Sequence, residues 1–581
     1  MTEPTAQQQP QNGATTATTP TVVSHLVIGA GPAGLQLAKH LQDSGYTYAV
    51  LEAGETPGTF FGTYPRHRTL ISINKPHTGT EDPELNLRMD WNSILTPDPK
   101  LLFTRYSERY FPAADDLRRY LADYAAAFDL SIRFNTRVER ITRIPADRDS
   151  GGSTDGDNAD AENARVSGES GDFLVEASDR SRWRAGVVIV ATGVGKPYVP
   201  PIAGIEHAEQ YATMSVDPAD FTDQRVLILG KGNSAFETAD NLIEKAAVIH
   251  VAGPSSIKLA WQSHYVGHLR AVNNNFLDTY QLKSQNAILD GEVLDITPQP
   301  EGGFLVRFSF SRANEVVKEL YSDRVLCCTG FRLDTAPFAE DCRPMLAIKD
   351  RFAELSSAYE SVNVPGLYFA GTLMQQREFK KSTTGFIHGF RYTVRALSRI
   401  LDQRASGTPW PHTELPVSAQ ALADAIVRRV NRTSALWQQF GVLGDVLLVP
   451  DTEDEPGAAA DDVQYLEEVP VQYALDGGLA EPASELATDG LLVAVTLEYG
   501  PDHDKVDPFD ISVRRVAQNR AEEAHDAAYL HPVIRVFRDA KQLAEHHMAE
   551  NLENNWDGAS THREPLTAFL DEVLTELRAS R

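Results

Sequence analysis

Cysteine is scarce in this sequence, and its few occurrences do not form a redox motif. The 581 residues include three cysteines, Cys327, Cys328 and Cys342, and none of them lies in a C-x-x-C pair. This usage argues against a disulfide framework and indicates a reducing compartment, so we expect a cytoplasmic protein. Neighbouring residues of a strand point to opposite faces, so we interpret Cys327 and Cys328 as small buried side chains and not as a reactive dithiol.

Positive charge and long apolar runs are also scarce. Lys and Arg total 54 against 81 Asp and Glu, which gives a formal net charge of −27. This balance argues against nucleic-acid binding, which needs a basic face, and against an anionic membrane surface. No apolar run approaches the roughly 18 residues of a membrane-spanning helix. Residues 1–20 are polar and of low complexity, and they predict a disordered tail without the features of a signal peptide.

The sequence does contain a glycine-rich turn between a short apolar strand, residues 26–28, and a helical stretch, residues 35–41. In such a turn the first glycine permits the tight bend, the second lets the backbone approach a pyrophosphate, and the third lets the helix pack on the strand. The helix N-terminus faces the phosphates, and an acid at the end of the next strand accepts a hydrogen bond from a ribose hydroxyl. The pattern predicts a dinucleotide site formed by Gly29, Gly31, Pro32, Ala33, Gly34 and Glu52.

A second unit of the same kind follows another apolar strand, residues 226–229. Its predicted contact residues, in which alanine replaces the third glycine, are Gly230, Gly232, Asn233, Ser234 and Ala235. The next strand ends at Ala252 without the acid that would select the ribose of NADH. The side chains near this strand end favour the 2′-phosphate of NADPH, with NADH as the alternative, and they are Lys231, Ser255, Ser256 and Lys258.

An internal repeat links the two units. Residues 173–193 and residues 304–330 both read as a hairpin followed by an apolar strand that ends in Thr-Gly. Two related domains, each with a last strand that returns to its nucleotide, would produce this repeat. We therefore predict an α/β fold with two Rossmann-like, three-layer dinucleotide-binding domains.

Several motifs resemble the family of FAD-dependent oxidoreductase-domain proteins, within the flavin monooxygenase and glutathione-reductase-like superfamily. The motifs are Phe61-x-x-Tyr64-Pro65-Arg66-His67-Arg68, Ile71-Ser72-Ile73-Asn74-Lys75, Asp90-Trp91-Asn92-Ser93, Gly232-Asn233-Ser234-Ala235-Phe236-Glu237 and Gly385-Phe386-Ile387-His388-Gly389-Phe390-Arg391-Tyr392. Segments near residues 465, 497 and 531 extend the resemblance over nearly the whole chain. The resemblance implies FAD in the first unit, NADPH in the second, and molecular oxygen as co-substrate.

The resemblance also divides the chain. After the tail come a first part of the FAD domain, the NADPH domain, a second part of the FAD domain and a C-terminal α+β region. The expected bounds are residues 21–212, 213–330, 331–404 and 405–581. Residues 146–172 read as a flexible insertion and residues 451–462 as an acidic linker, because neither stretch has a hydrophobic period.

Site residues around the flavin follow from the resemblance. It places Asn74 beside the reactive flavin carbon, where the side-chain amide would donate a hydrogen bond, while a loop-capping asparagine is the alternative. Lys75 follows it, as a second catalytic candidate or a surface lysine. The other expected cofactor contacts are Phe61, Trp91, Asn92, Gly193, Gly371 and Phe386.

Two further residues are candidates for contact with nicotinamide or substrate. Asn273 lies in a run of three asparagines, which is either a solvated turn or a binding loop because buried amides need partners. Arg377 lies in a basic stretch before the flavin-facing helix, where it would anchor a carboxylated substrate or complement a phosphate. We find no metal-ligand spacing, so no metal is expected.

The resemblance implies a single-component monooxygenase that uses a flavin hydroperoxide. Microbial relatives of this kind suggest a small amine or amino acid as substrate and N-hydroxylation in a biosynthetic pathway. Oxygenation at sulfur and Baeyer–Villiger oxygenation are alternatives, although the signature of the latter is absent from residues 204–225. A partner-coupled flavin oxidoreductase without oxygenase activity is a further alternative, and a homo-oligomer is compatible with the sequence.

Overall fold

A computed structural model describes residues 19–144, 171–280, 286–314, 316–450, 462–480, 490–501 and 503–579. Nearly all of the expected tail, insertion and acidic linker lie outside the described residues. The α-helices are α1 (Pro32–Asp43), α2 (Phe60–Thr63), α3 (Pro83–Met89), α4 (Ala114–Ala127), α5 (Asn233–Leu242), α6 (Ala260–Ser263), α7 (Asn275–Tyr280), α8 (Ile387–Ser406), α9 (Ala419–Val430), α10 (Ser434–Gln438), α11 (Val471–Leu475) and α12 (Glu564–Ala579). In these parts of the chain, no helix has the length and apolar character needed to cross a membrane.

The strands of the described residues form three large sheets and two short pairs. They are β1 (Thr21–Ile28), β2 (Tyr48–Leu51), β3 (Ile132–Arg133), β4 (Val138–Arg143), β5 (Phe173–Ala177), β6 (Arg182–Val190), β7 (Lys196–Pro197), β8 (Glu209–Gln210), β9 (Arg225–Leu229), β10 (Val248–Gly253), β11 (Ala287–Pro298), β12 (Phe304–Phe310), β13 (Val316–Ser322), β14 (Arg324–Cys327), β15 (Phe331–Arg332), β16 (Leu346–Ala347), β17 (Phe352–Ala353), β18 (Leu367–Phe369), β19 (His412–Leu415), β20 (Leu443–Val449), β21 (Val463–Pro470), β22 (Leu491–Glu498), β23 (His531–Arg538) and β24 (Lys541–His547).

The first sheet has the order β3-β2-β1-β6-β5-β4, and β18 pairs with β6. Strand β1 runs parallel to β2 and β6, with Leu26 opposite Ala49 and Val188. The strand is central, so its last six residues are buried, and it ends in the apolar residues Leu26, Val27 and Ile28. Helices α1 and α8 cover one face. The carboxyl ends of β1, β2, β6 and β18 therefore meet at one edge, which is where ligands bind in such sheets.

The second sheet repeats this design with the order β13-β12-β11-β10-β9-β14-β8. Its parallel strands β10, β9 and β14 carry the second glycine-rich turn, and its antiparallel pair β12–β13 corresponds to the pair β5–β6 of the first sheet. Strand β8 belongs to this sheet and begins at Glu209, a few residues before the expected boundary. We call the residues around the two sheets the first and second domains. The residues after α8 are the C-terminal region.

The C-terminal region is a six-stranded antiparallel sheet with the order β19-β21-β20-β22-β23-β24. Helices α9 and α12 pack on it around a core of buried aliphatic side chains, which include Ile426, Leu447, Val495, Ile534 and Leu570. The apolar stretch 436–448 comprises the end of α10, a short connection and most of β20. Buried Arg88 of α3 joins this region to the first domain by donating to the carbonyls of Thr433 and Asn431, each at 3.1 Å.

Candidate cofactor and active site

The first glycine-rich turn leaves open space where a pyrophosphate would lie. Gly29 has φ of 104°, and a Cβ added there would lie 3.0 Å from the Ala191 carbonyl oxygen. A Cβ on Gly34 would overlap the Gly29 carbonyl, because α1 packs closely on the turn. At Gly31, among the described residues other than its two chain neighbours, no heavy atom lies within 4 Å of such a Cβ. The free N–H groups of the first turn of α1 face this space, so the turn fits a phosphate group.

Glu52 is fixed at the end of β2 by two backbone groups. Its Oε2 accepts from the Ala30 N–H and its Oε1 from the Gly54 N–H, both at 2.8 Å. The carboxylate is buried, yet each oxygen has a second lone pair. Glu52 can therefore accept hydrogen bonds from ribose hydroxyls while it holds the glycine-rich turn in place.

The ends of β6 and β18 complete this edge of the sheet. Gly193 follows β6 with φ of 65° and has open space at its Cβ position. Gly371 follows β18 with φ of 71°, and its Cβ position lies 2.6 Å from the Cβ of Ala33. A side chain at residue 371 would collide with the first turn of α1. The backbone conformation and the close approach both require glycine, which fits the expected FAD contact there.

An aromatic wall stands at the start of α8, where we expect the flavin. The Trp91 ring stacks on His388 at 4.3 Å, and Phe386 lies parallel to the same imidazole at 5.8 Å. The Arg270 guanidinium of the second domain lies 5.2 Å from the Trp91 ring. Burial, reinforced by the nearby Arg391 and Arg270, holds the pKa of His388 well below its ordinary range, so the imidazole is neutral.

Asn74 is buried here, but its amide nitrogen is already engaged. Its Nδ2 donates to the carbonyls of Ser107 and Arg109 at 2.5 and 3.4 Å. Its Oδ1 is buried without a hydrogen-bond partner among the described residues. The expected donor role is therefore wrong in this geometry, because the turn that ends near Arg109 takes the N–H groups. What Asn74 offers a ligand is a hydrogen-bond acceptor.

The other expected residues of this segment differ in their placement. Asn92 is buried and uses its amide inside the protein: its Nδ2 donates to the Ile73 carbonyl at 3.0 Å, and its Oδ1 accepts from Ser72. Asn92 thus shapes the loop, with its Oδ1 and one N–H of its amide engaged inside the protein. Lys75 is exposed, and Phe61 is half-buried against the core of the first domain.

The second glycine-rich turn is built like the first. Gly230 has φ of 119° and its Cβ position overlaps the Cys328 carbonyl, whereas Gly232 has open space. Asn233 ties the turn to the following loop, because its Oδ1 accepts from the Arg270 N–H at 2.9 Å and from the Asn273 side chain at 3.2 Å. Asn273 is thus a buried part of the nucleotide loop and not a solvated turn. Half-buried Ser234 and buried Ala235 continue into α5.

Asp290 supplies the acid that the end of β10 lacks in sequence. It lies opposite Gly253 in the parallel pair β10–β11 and forms an ion pair with Lys231. Arg312 binds its other carboxylate oxygen at 2.9 Å. Lys231 also donates to the Ser255 carbonyl at 3.1 Å, so its ammonium is committed. Because β11 arrives from far along the chain, no local spacing could reveal this acid.

The remaining predicted nucleotide contacts, Ser255 and Lys258, are exposed in the loop after β10. The exposed cation beside Asp290 is Arg312, which the sequence reading missed. Arg312 comes from the turn between β12 and β13, next to the Ser256 hydroxyl at 3.5 Å. An exposed guanidinium, paired with Asp290, therefore lies beside the loop that follows β10, and Arg312 is a candidate contact for the 2′-phosphate of a nucleotide.

The two domains meet in front of α8. Tyr265 of the second domain donates its hydroxyl to Gln375 Oε1 at 3.2 Å, and its ring lies 6.0 Å from Phe386. The C-terminal region closes the same junction, since Thr384 donates to Gln439 Oε1 at 3.0 Å. Arg377 does not take part as expected: it is exposed and donates to the Leu355 carbonyl of its own domain at 3.0 Å.

Buried carboxyl groups are a feature that the sequence reading missed. Burial raises the pKa of Glu378, at the junction, to about 7. Burial also raises the pKa of Glu237, on α5, to about 8, and Glu237 accepts a hydrogen bond from Tyr211. Tyr211 stacks on Tyr64 of the first domain at 5.7 Å, so this second carboxyl lies behind another interdomain contact. Sequence pattern gives no signal for either burial.

The family model described as pyridine nucleotide-disulphide oxidoreductase matches residues 26–151 and 158–371. The chain belongs to this family of two-nucleotide oxidoreductases. It is also similar over 96% of its length to FAD-dependent oxidoreductase domain-containing protein 2 of Mus musculus, with 38% identity and 84% of that protein covered. The homologue of the same description from Danio rerio is 36% identical, with the same coverage of each chain.

More distant similarities extend to monooxygenases. Flavin-containing monooxygenase FMO GS-OX-like 9 of Arabidopsis thaliana is 26% identical, over 59% of this chain and 70% of its own. Among solved structures, a flavin-containing monooxygenase from Stenotrophomonas maltophilia is 21% identical with a TM-score of 0.47, over 66% of this chain and 98% of its own.

These findings bear on the expectations from sequence. The predicted resemblance and the α/β fold with two dinucleotide-binding units are confirmed. The chain is an FAD-dependent oxidoreductase, and FAD, NADPH and oxygen are its expected cofactors and co-substrate. Both glycine-rich turns fit the nucleotides they would hold.

Proposed function

We propose that the chain uses NADPH and oxygen to oxygenate a small amine or amino acid on nitrogen, in a biosynthetic pathway. The observation that carries the proposal is the junction in front of α8. There a residue of the nucleotide loop, Tyr265, touches the flavin-side residues Gln375 and Phe386. A reductant bound to one domain and a flavin bound to the other would meet at this junction.

The cysteines support oxygenation over disulfide reduction, although the family description includes disulphides. All three lie among the described residues, and all are free and buried. Burial raises the pKa of the Cys327 and Cys328 thiols, and Cys342 donates to the Ile141 carbonyl at 2.8 Å. A disulfide reductase needs reactive thiolates beside the flavin, and protonated, buried thiols do not supply them.

Bound FAD would carry electrons from NADPH to oxygen and would transfer one oxygen atom to the substrate. The residues of this chain hold and shield it. Gly31 and Glu52 would bind its pyrophosphate and ribose, and the wall of Trp91, His388 and Phe386 would keep water from the reacting edge. Neutral His388 adds no charge there, and Asn74 Oδ1 remains as an acceptor for an N–H group.

A substrate panel tests the proposal. NADPH oxidation by the FAD-loaded protein is measured with primary amines, amino acids, thioethers and ketones, and products are analysed by mass spectrometry under isotopically labelled oxygen. We expect amines to raise the rate and to yield a product with one labelled oxygen atom. Labelled product from thioethers or ketones alone would move the oxygenated atom to sulfur or carbon. A rate that no small molecule changes would favour a partner-coupled oxidoreductase.

A further inference from the structure

Glu378 is a buried carboxyl group with one unsatisfied oxygen. Only 7% of the residue is exposed. Its Oε1 accepts from the Thr384 N–H at 3.2 Å, while its Oε2 is buried without a hydrogen-bond partner. No Lys, Arg or His of the described residues forms an ion pair with it. A buried carboxylate without a cation is costly, so the native state needs a proton or a cationic partner here.

Two more buried polar groups nearby are also unsatisfied. Ser382 Oγ and Gln439 Nε2 have no partner among the described residues, and both residues are almost fully buried. Thr384 connects the set, because its N–H binds Glu378 and its hydroxyl binds Gln439. Buried side-chain polar atoms nearly always have partners, so unsatisfied atoms on Glu378 and Gln439, which share Thr384 as a partner, and on Ser382, two residues before Thr384, indicate a missing ligand.

The chemistry of the cluster defines that ligand. Glu378 Oε2 is an acceptor that suits a cation, and Gln439 Nε2 and Ser382 Oγ are donors that suit a carboxylate or hydroxyl oxygen. We propose that Glu378, Ser382 and Gln439 bind the charged end of an amino-acid-like substrate, with its ammonium on Glu378 and its acceptor oxygen on Gln439 and Ser382. This inference rests on the proposed function, since it takes the amine as substrate.

The position of the cluster suits a substrate site. Glu378 and Ser382 lie on the segment that leads into α8, a few residues before Phe386. The ring of Tyr265, from the second domain, packs against Phe386. Burial raises the pKa of Glu378 to about 7, so an ammonium can favour the ionised form at neutral pH. Gln439 comes from the C-terminal region, so the proposal also gives that region a part in substrate binding.

The variant Glu378→Gln tests the inference, with exposed Glu340→Gln of the same domain as control. Amine binding to the oxidised FAD-loaded protein is measured by calorimetry, and NADPH oxidation is measured separately. We expect Glu378→Gln to weaken amine binding and raise the KM for amine at least about tenfold. The FAD content of both variants should stay unchanged, and Glu340→Gln should match the wild type throughout.

A second variant separates the two ends of the ligand. Gln439→Met keeps the volume but removes the donor, so it should weaken binding of amino acids more than of simple amines. Unchanged amine binding in Glu378→Gln would overturn the inference, and so would loss of FAD, because the carboxyl would then serve the flavin. If the wild type binds amine through Glu378 but forms no oxygenated product, the site stands and the proposed function fails.

Discussion

Tyr265 and Gln375 form a buried hydrogen bond between the two nucleotide domains, with 3.2 Å between the phenol oxygen and Oε1. Gln375 also donates to the Thr372 carbonyl at 3.0 Å, next to Gly371, which we predict to contact the flavin. A single side chain thus connects the loop of the nicotinamide nucleotide to the segment that holds the flavin. This contact fixes the relative position of the two domains where hydride transfer would occur.

Removing this hydrogen bond should slow flavin reduction. Tyr265→Phe keeps the ring against Phe386 but leaves Gln375 Oε1 without its donor, a loss of about 0.5–1.5 kcal/mol. We expect the anaerobic rate of flavin reduction by NADPH to fall about two- to tenfold, with FAD content unchanged. Tyr321→Phe is the control, because Tyr321 is an exposed hairpin residue that also donates a side-chain hydrogen bond. Equal rates in both variants would contradict the role of the contact.

Arg312 should determine the preference for NADPH. Arg312→Ala removes the exposed cation beside Asp290, so the KM for NADPH should rise about tenfold because a charged hydrogen bond to phosphate is lost. The KM for NADH, which has no 2′-phosphate, should not change. Arg307→Ala in the same hairpin is the control, since Arg307 pairs with Asp295 on β11. An equal loss for both nucleotides would show that Arg312 acts on folding and not on selection.

Gly31 and Gly34 of the first turn should respond differently to substitution by alanine. Gly34→Ala places a methyl group on the Gly29 carbonyl, so it should destabilise the protein by about 1–3 kcal/mol and lower its FAD content. Gly31→Ala places the methyl group in open space. It should leave the Tm of the FAD-free protein unchanged and weaken FAD binding alone. A stable Gly34→Ala protein with full FAD content would show that α1 does not pack as described.

Glu237 should make stability depend on pH. Burial raises its pKa from 4.5 to about 8, so the folded state keeps a proton that the unfolded state releases. Its contribution to stability is therefore full below about pH 4.5 and is lost as the pH rises towards 8. The glutamine of Glu237→Gln cannot ionise and can still accept a hydrogen bond from Tyr211. The Tm of this variant, relative to that of the wild type, should therefore rise as the pH increases over this range. Parallel Tm curves over the same pH range would contradict the buried, protonated carboxyl.

The local patterns of the chain were predictable from sequence, and the long-range ones were not. Gly29, Gly31 and Glu52 sit within one strand–turn–helix–strand unit, so their spacing alone carries the physical requirements of the site. Asp290 reaches the second nucleotide site only through the pairing of β10 with β11. Likewise, the cluster at Glu378 depends on Gln439 from a different region of the chain.

The direction in which a side chain points was the second feature that could not be predicted from the sequence. The resemblance placed Asn74 beside the reactive flavin carbon, but the carbonyls of Ser107 and Arg109 decide which end of its amide is free. Arg377 was read as a substrate anchor because of local positive charge. Its guanidinium instead binds the Leu355 carbonyl, since the segment 371–378 forms a tight helical turn over that part of the first domain.

The most direct test of the account is the stoichiometry of NADPH, product and hydrogen peroxide in one reaction. The FAD-loaded protein is mixed with NADPH, oxygen and the amine that raises NADPH oxidation most, and all three quantities are measured in the same sample. An amine monooxygenase should form about one molecule of oxygenated product for each NADPH consumed, with little hydrogen peroxide. Recovery of all the consumed NADPH as peroxide, with the amine unchanged, would contradict the assignment as an amine monooxygenase.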